Sequence, residues 1–420
     1  MDIRSVTRWR PGLLAANALR TTGWTYFRLA LQTGGLIAIA RWFGAEGYGV
    51  IAGVIALFTT LGQLVGLGSG IALVSSVSRD REQLALWLIP TLQVYFLSGV
   101  CLAAAAVALS AATFSQLLPL TALVALAVSE VLLAPLLQPF VYAAQATEKM
   151  HTFGAIATAA SVARIAAIAL TILLEIHGLE QFSYLYLSSM AICTGGTILL
   201  ARLTGLAEVK RGTSHSKKEI IQRGYPYLLG GAASVASSEI DKPLLLAFTS
   251  ATSVGQYTAA FRVAQAATIP IGSLLVAATS KLFRLNNEGA PSTFSPYIKI
   301  CVGYGLVSSF LLVVLAPALP AVFGIDFQGA VAILQVMSIY LLTNPLRQFL
   351  AARLTTTDRQ NTRNFVEIVA FIASTLVLLL AVPAYAIWAA VIALIINDSI
   401  VITACLLVLK KREVIVRRVR

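Results

Sequence analysis

The sequence predicts an all-α integral membrane protein with twelve transmembrane helices in two six-helix lobes, on three observations: composition, the length of the apolar runs and the placement of basic residues. Of 420 residues, 58% are hydrophobic and 12% charged, and the mean hydropathy is +0.83. Soluble domains carry about 25% charged residues, so this composition is suited to hydrocarbon rather than water. The apolar runs extend for roughly 20 to 28 residues, enough to cross ~30 Å of hydrocarbon at ~1.5 Å per helical residue and far longer than barrel strands of about 9 to 11 residues. The spans are therefore helices.

Taken in order, the runs fall at 21–40, 50–77, 84–110, 119–143, 152–174, 182–201, 225–248, 256–280, 297–317, 328–352, 365–383 and 386–409. Only Pro383 and a few small residues divide the last pair. With the N-terminus on the cytoplasmic side, 24 of the 31 lysines and arginines lie in cytoplasmic segments and one, Arg41, in an external loop. The positive-inside rule predicts that asymmetry for an even number of spans with both ends in the cytoplasm. It also accounts for the net charge of +13 without nucleic acid, because Arg79, Arg81, Lys210–Arg223, Arg353–Arg363 and Lys410–Arg420 read as topology signals beside anionic lipid headgroups. The N-terminal stretch lacks the apolar core and small-residue cleavage pattern of a signal peptide, so no cleavage is expected.

The longest polar interval, 202–224, divides the chain into an N-terminal lobe, 1–201, and a C-terminal lobe, 225–420, with a basic tail. An internal repeat supports the division. Tyr48 corresponds to Tyr257, Pro135-Leu136-Leu137-Gln138 to Pro345-Leu346-Arg347-Gln348, and Thr147-Glu148-Lys149 to Thr357-Asp358-Arg359. Six spans separate the copies, so the halves share one orientation, as parallel repeats about an axis along the membrane normal with a site between them. The external loops are short and leave no room for a large catalytic domain.

Ionisable residues within the spans mark partners, cavities or pathways. Counting outward from each loop places Asp241 and Arg262 at nearly equal depth on the seventh and eighth spans, and Glu130 and Arg164 on the fourth and fifth. Each is an interhelical ion pair or part of a cavity lining. Glu239 and Lys242 stand three residues apart and can neutralise one another along one helix, while Asp241 falls on another face. Pro243 removes a backbone donor and clashes with the carbonyl of Glu239, giving a static kink or a hinge. Arg28 interrupts the first span too deeply for full snorkelling and suits a cavity. Arg347 can reach the interface or Glu367, and Asp398 has no partner at any obvious spacing.

The four cysteines, Cys101, Cys193, Cys301 and Cys405, fall within apolar runs without metal-ligand spacing and read as small buried thiols. His151, His177 and His215 are scattered, so no metal or other cofactor is expected. The chain lacks a phosphate loop of the GxxxxGK[ST] type and the nucleophile-elbow and zinc-protease motifs. It reads as a transporter, not an enzyme.

Arg41-Trp42-Phe43-Gly44, Tyr48-Gly49 and Leu67-Gly68-Ser69-Gly70-Ile71-Ala72 resemble the opening of the bacterial lipid-linked oligosaccharide flippases, the Wzx-type polysaccharide biosynthesis proteins of the multidrug/oligosaccharidyl-lipid/polysaccharide (MOP) exporter superfamily. Ile240-Asp241-Lys242 with Val254-Gly255-Gln256-Tyr257-Thr258-Ala259-Ala260 resembles the start of that family's second half, and Phe323-Gly324-Ile325-Asp326-Phe327 the segment before its tenth helix. The resemblance implies a MATE-like fold, a central cavity lined by the first and seventh helices, alternating access and a bacterial inner-membrane location. It implies as substrate an oligosaccharide on undecaprenyl pyrophosphate, moved to the periplasmic leaflet for O-antigen or other polysaccharide synthesis. Membrane lipids, a polysaccharide polymerase and chain-length machinery are the implied partners. Arg28 and Lys242, then Arg164 and Arg262, are the implied cationic ligands, since arginine offers persistent charge and paired donors to phosphate. Glu130, Glu239, Asp241, Pro243 and Asp398 are coupling or gating candidates. A cation-coupled drug exporter of the same fold is the alternative, and twelve spans depart from the fourteen typical of lipid II flippases.

Overall fold

The computed structural model describes residues 13–203, 216–275, 294–357 and 359–419. Residues 204–215 of the linker, His215 among them, the end of the 256–280 run and the side chains from Lys410 onward lie outside the described residues. Within them the chain is nearly all helix, and nine helices are long and apolar enough to cross a membrane. The chain forms two compact units, Met1–Ala38 with Leu61–Leu228, and Ile39–Thr60 with Leu229–Arg420.

The first helix, α1 (Leu13–Gly62), would be ~75 Å long if straight, far more than a bilayer needs. It breaks at Gly44, whose φ of 66° and ψ of −174° are open to glycine and costly for other residues. Contacts within the first unit show that the chain reverses there. Gly35 lies against Ile165 and Ile168, Gly62 lies against the carbonyl of Glu130, and Glu130 is bonded to Arg164. A straight helix would hold Gly35 and Gly62 roughly 40 Å apart at ~1.5 Å per residue. The expected span at 50–77 is likewise not one helix. It ends at Gly62, turns through Gly66 and Gly68 at positive φ, and resumes as α2 (Ser69–Val77).

The first unit continues with α3 (Leu84–Phe114), α4 (Leu120–Ala146), α5 (Met150–Leu173) and α6 (Leu179–Leu203). Here α4 packs on α2, α3, α5 and α6. A core at one end joins Leu73 of α2, Trp87 of α3 and Phe140 of α4. One turn of α4, Val128–Leu133, is π-helical; Pro135 follows, and it cannot donate to the carbonyl of Val131.

In the second unit α7 (Lys217–Glu239), whose first turns belong to the first unit, ends just before α8 (Asp241–Phe248), and α9 (Ala251–Ala267) follows. Pro243 cannot donate to Glu239, so the backbone bonding is interrupted where the two helices meet. The unit is completed by α10 (Phe294–Leu315), α11 (Gly329–Thr356), α12 (Gln360–Tyr385) and α13 (Ile387–Val419). Of these, α11 packs on α9, α10, α12 and α13. The last two helices are separate: the chain turns at Ala386, at a φ of 45°, and α12 lies against α13.

The Arg41–Gly49, Val254–Ala260 and Phe323–Phe327 motifs converge in this unit. Arg41 donates from Nη2 to the Ala321 carbonyl at 2.6 Å and from Nε to the Val322 carbonyl at 2.7 Å. Gly44 abuts the Asp326 carboxylate, Tyr48 packs on Phe327, and Gln256 Nε2 donates to the Asp326 carbonyl at 2.9 Å. Two backbones meet at the centre. A Cβ on Gly49 would stand 1.8 Å from the Ala251 carbonyl oxygen, and one on Gly255 would stand 1.9 Å from that of Ala45. These residues are therefore held by packing and backbone hydrogen bonds, a structural reason for the motif.

Cys301 and Cys405 are buried and Cys193 is half-buried, but Cys101 is exposed on α3. That corrects the expectation of four buried thiols, because an apolar run does not distinguish a lipid-facing position from a core one. His151 packs edge-on against Trp24, and among the described residues no cluster suits a metal.

Gly49→Val and Gly255→Val should each lower the melting temperature of the detergent-solubilised protein by several degrees, from overpacking of about 1–3 kcal/mol. Gly195→Val, at a position with open space around the Cα, serves as the control. Equal melting temperatures for all three variants would remove the crossing as a determinant of stability.

Candidate functional site

Each sequence-predicted charge has a definite setting. In the first unit, Arg164 of α5 holds Glu130 of α4 through three nitrogen–oxygen contacts, Nη2 to Oε2 at 2.8 Å, Nη2 to Oε1 at 2.9 Å and Nε to Oε1 at 3.1 Å. The Tyr186 hydroxyl of α6 also donates to Glu130 Oε1 and accepts from Arg164 Nε at 2.8 Å. The Glu130 side chain is 2% exposed and that of Arg164 32%. The carboxylate is thus buried and saturated, whereas the arginine side chain is only partly buried. The π-helical turn carries Glu130 into this three-helix knot.

Charges in the second unit pair differently from the depth count. Arg262 of α9 bonds Glu239, Nη1 to Oε1 at 3.0 Å and Nη2 to Oε2 at 3.1 Å, rather than Asp241. Asp241 instead accepts from the Tyr257 hydroxyl and, at Oδ1, from Lys242 Nζ at 3.1 Å. The expectation that Asp241 could not share Lys242 is also corrected. The backbone at Ile240 stays in the right-handed helical region, at φ −68° and ψ −22°, and the flexible Lys242 side chain folds back toward Ser238 and so reaches both carboxylates. Depth counting gives height along a span and not direction around it.

Lys242 is fully enclosed. Its Nζ donates to the Ser238 carbonyl at 2.5 Å, lies 3.3 Å from Glu239 Oε2, and sits 4.3 Å from the centroid of the Phe261 ring. Two carboxylates, a carbonyl and an aromatic face leave this ammonium no free coordination for a ligand.

A third cluster joins α11, α12 and α13. Arg347 Nη2 contacts Glu367 Oε2 at 2.6 Å, and Nε stands 3.4 Å from Asp398 Oδ1. Asp398 also accepts from Thr343 Oγ1 at 3.0 Å. The apparently solitary Asp398 therefore has a partner, on a helix 51 positions away in sequence. Sequence reasoning missed Tyr186, Tyr257 and Thr343 as partners because hydroxyls do not stand out in hydropathy.

Arg28 differs from the other candidates. It is half-buried on α1, and among the described residues it makes no ion pair or side-chain hydrogen bond. Trp24, Arg28, Gln32 and Gly35 follow one another at helical spacing along one face. Three of the four touch α5: Trp24 lies against Gly154, Gln32 Nε2 donates to Ser161 Oγ at 3.3 Å, and Gly35 meets Ile165. This α5-facing stripe holds a cation without a carboxylate.

Breaking the Glu130–Arg164 pair should be costly, since a buried charge left alone costs about 3–5 kcal/mol. Glu130→Leu and Arg164→Met should each lower thermal stability sharply, and the double variant should recover much of the loss. Additive losses in that cycle would show the residues to be energetically independent.

Comparison with known proteins follows these observations. A family model described as "Polysaccharide biosynthesis protein" matches residues 14–283. Comparison with curated protein sequences gives no match. Among solved structures, an inward-facing multidrug resistance MATE family transporter of the MOP superfamily superposes with a TM-score of 0.68 at 16% identity, over 90% of this chain and 92% of the other. The lipid II flippase MurJ in its inward closed conformation gives 0.67 at 15% identity, over 93% of this chain and 87% of the other. A MOP superfamily transporter from Pyrococcus furiosus, described as having a binding pocket of reverse polarity, gives 0.60 at 17% identity, over 93% of each chain. The fold is that of the MOP superfamily, and the chain belongs to the polysaccharide biosynthesis protein family.

Proposed function

We propose that the chain is a flippase that moves an undecaprenyl-pyrophosphate-linked oligosaccharide from the cytoplasmic to the periplasmic leaflet by alternating access. In this reading it is a transporter and not an enzyme. It carries twelve helices in two lobes, 1–201 and 225–420, joined by the 202–224 linker, and lies in the bacterial inner membrane with both termini cytoplasmic. The product would feed polysaccharide or O-antigen assembly, with a polymerase and chain-length machinery as partners.

Family membership supports this reading together with one feature of the site: among the four candidate cations, Arg28 is the one without an acidic partner in the described residues. A pyrophosphate entering a low-dielectric site needs a cation that is not already neutralised. Arg28 meets that need, and Arg164, whose side chain is partly exposed but already paired with Glu130, is at most a secondary contact. Lys242 is withdrawn as a ligand because its ammonium is saturated. Its place is to hold Glu239 and Asp241 where α7 and α8 meet, and Pro243 makes that junction a candidate gate.

The superposition on a multidrug MATE transporter supports a second reading, cation-coupled export of small molecules. Glu130, Glu239, Asp241 and Asp398 would then be the coupling acids. The first three are held in ion pairs or by tyrosine hydroxyls at 2.8–3.3 Å or closer, and Asp398 by Arg347 and Thr343 at 3.4 and 3.0 Å.

In proteoliposomes, Arg28→Ala should lower flipping of undecaprenyl-pyrophosphate-linked glycan at least about tenfold, a loss of ~1.4 kcal/mol or more, while Arg28→Lys retains part of the rate. An unchanged rate in the alanine variant would remove Arg28 from the site. Expression of the wild-type chain in a drug-sensitive host should confer no resistance. Resistance that disappears with Asp241→Asn would establish the exporter reading instead.

A further inference from the structure

We infer that the second unit contains a built subsite for one sugar ring of the transported glycan, an inference that rests on the flippase reading. The site is a cavity of about 230 Å³ wholly within that unit, between α7, α9, α11 and α13. One buried water needs only roughly 10–15 Å³ by the same kind of measure. The space is thus far more than a packing defect and has room for a sugar ring.

Its lining is unusual for the interior of a membrane domain. The amides of Gln265, Asn344, Gln348 and Asn397 surround it, with hydroxyls from Ser237, Ser238 and Thr268. The rings of Phe261 and Tyr340 supply apolar wall. A few oriented polar groups on an otherwise apolar wall characterise small-molecule sites, and a sugar ring presents both hydroxyl edges and C–H faces.

Hydrogen-bond accounting narrows the ligand. Gln348 Nε2 donates to Asn344 Oδ1 at 2.7 Å, and Asn344 Nδ2 donates to the Tyr340 hydroxyl at 2.9 Å. That one-way chain leaves the Tyr340 proton and the Gln348 carbonyl without partners among the described residues. Asn397 Nδ2 donates to Ser374 Oγ at 3.2 Å, which leaves its carbonyl, and Gln265 Oε1 accepts from Arg262 Nη1 at 3.0 Å, which leaves its amide protons. The cavity therefore presents two donors and two acceptors that its own wall does not use. Groups of this kind are available to a molecule that occupies the cavity. Hydroxyl groups, which donate and accept at once, fit a mixed set of this kind.

The electrostatics argue against the other ligand classes. Arg347 and Asp398 are the ionic side chains in the lining, they stand 3.4 Å apart, and Glu367 takes the other end of the guanidinium. A phosphate would meet a cation already neutralised by two carboxylates. An inorganic cation would have to displace arginine. A neutral, hydroxyl-rich ring requires neither.

Full-length protein in nanodiscs can be titrated with radiolabelled undecaprenyl pyrophosphate, bare or carrying one N-acetylglucosamine. Gln265→Leu and Gln348→Leu should each weaken binding of the sugar-bearing lipid about five- to tenfold, the loss of one hydrogen bond, and leave binding of the bare lipid unchanged. Equal binding of the sugar-bearing lipid by wild type and both variants, or equal losses for both lipids, would overturn the subsite and leave the flippase reading standing. Binding of neither lipid by the wild type would overturn both. Should the variants fail to fold, a diazirine on the sugar of the same lipid should label 261–268 or 340–348 in the wild-type protein. Labelling confined to other segments would overturn the subsite.

Discussion

An ionised group inside a bundle surrounded by hydrocarbon has to be compensated by a partner, because desolvation costs several kcal/mol per charge. The described helices are arranged to meet this requirement. Glu130 is closed by Arg164 and Tyr186, Glu239 by Arg262 and Lys242, Asp241 by Lys242 and Tyr257, and Asp398 by Arg347 and Thr343. Each closure joins different helices or the two sides of a helix break, so charge compensation also sets how those elements pack. Against this background Arg28 stands out, as a cation on a packed helix face with no carboxylate beside it among the described residues.

The family motifs prove to be architectural in the described residues. Arg41, Gly44 and Tyr48 meet Ala321, Val322, Asp326 and Phe327, and Gly49 meets Gly255 at a separation that no Cβ permits. Residues at such a junction are constrained by space and backbone bonding, which makes a recognisable sequence pattern that says little about substrate. The groups proposed to touch the glycan are amides and hydroxyls outside the family motifs, although Gln348 belongs to the internal repeat. A family can thus be recognised from packing residues while its ligand groups remain inconspicuous.

Much of the interior pairing could be read in advance where two spans share a short turn. A hairpin fixes which residues lie at the same height, so an ion pair was one of two readings for Glu130 with Arg164, and Glu367 was one of two alternatives for Arg347; both pairs form. Asp241 with Arg262 failed because depth does not give direction around a helix: Glu239, two residues away, is the carboxylate that meets Arg262. Asp398 had no visible partner because Arg347 lies on a helix that is not its neighbour in sequence.

By itself, the sequence determined that this is a helical membrane protein, because hydropathy and the length of apolar runs are summed over many residues, and its short motifs carried the family resemblance. Tertiary structure alone decided that Lys242 is enclosed, that Arg28 is unpaired among the described residues, and that uncharged polar groups from four helices enclose a cavity. Those outcomes depend on the angle of each side chain around its helix and on contacts between helices distant in sequence, and neither quantity is carried by the one-dimensional order of residues.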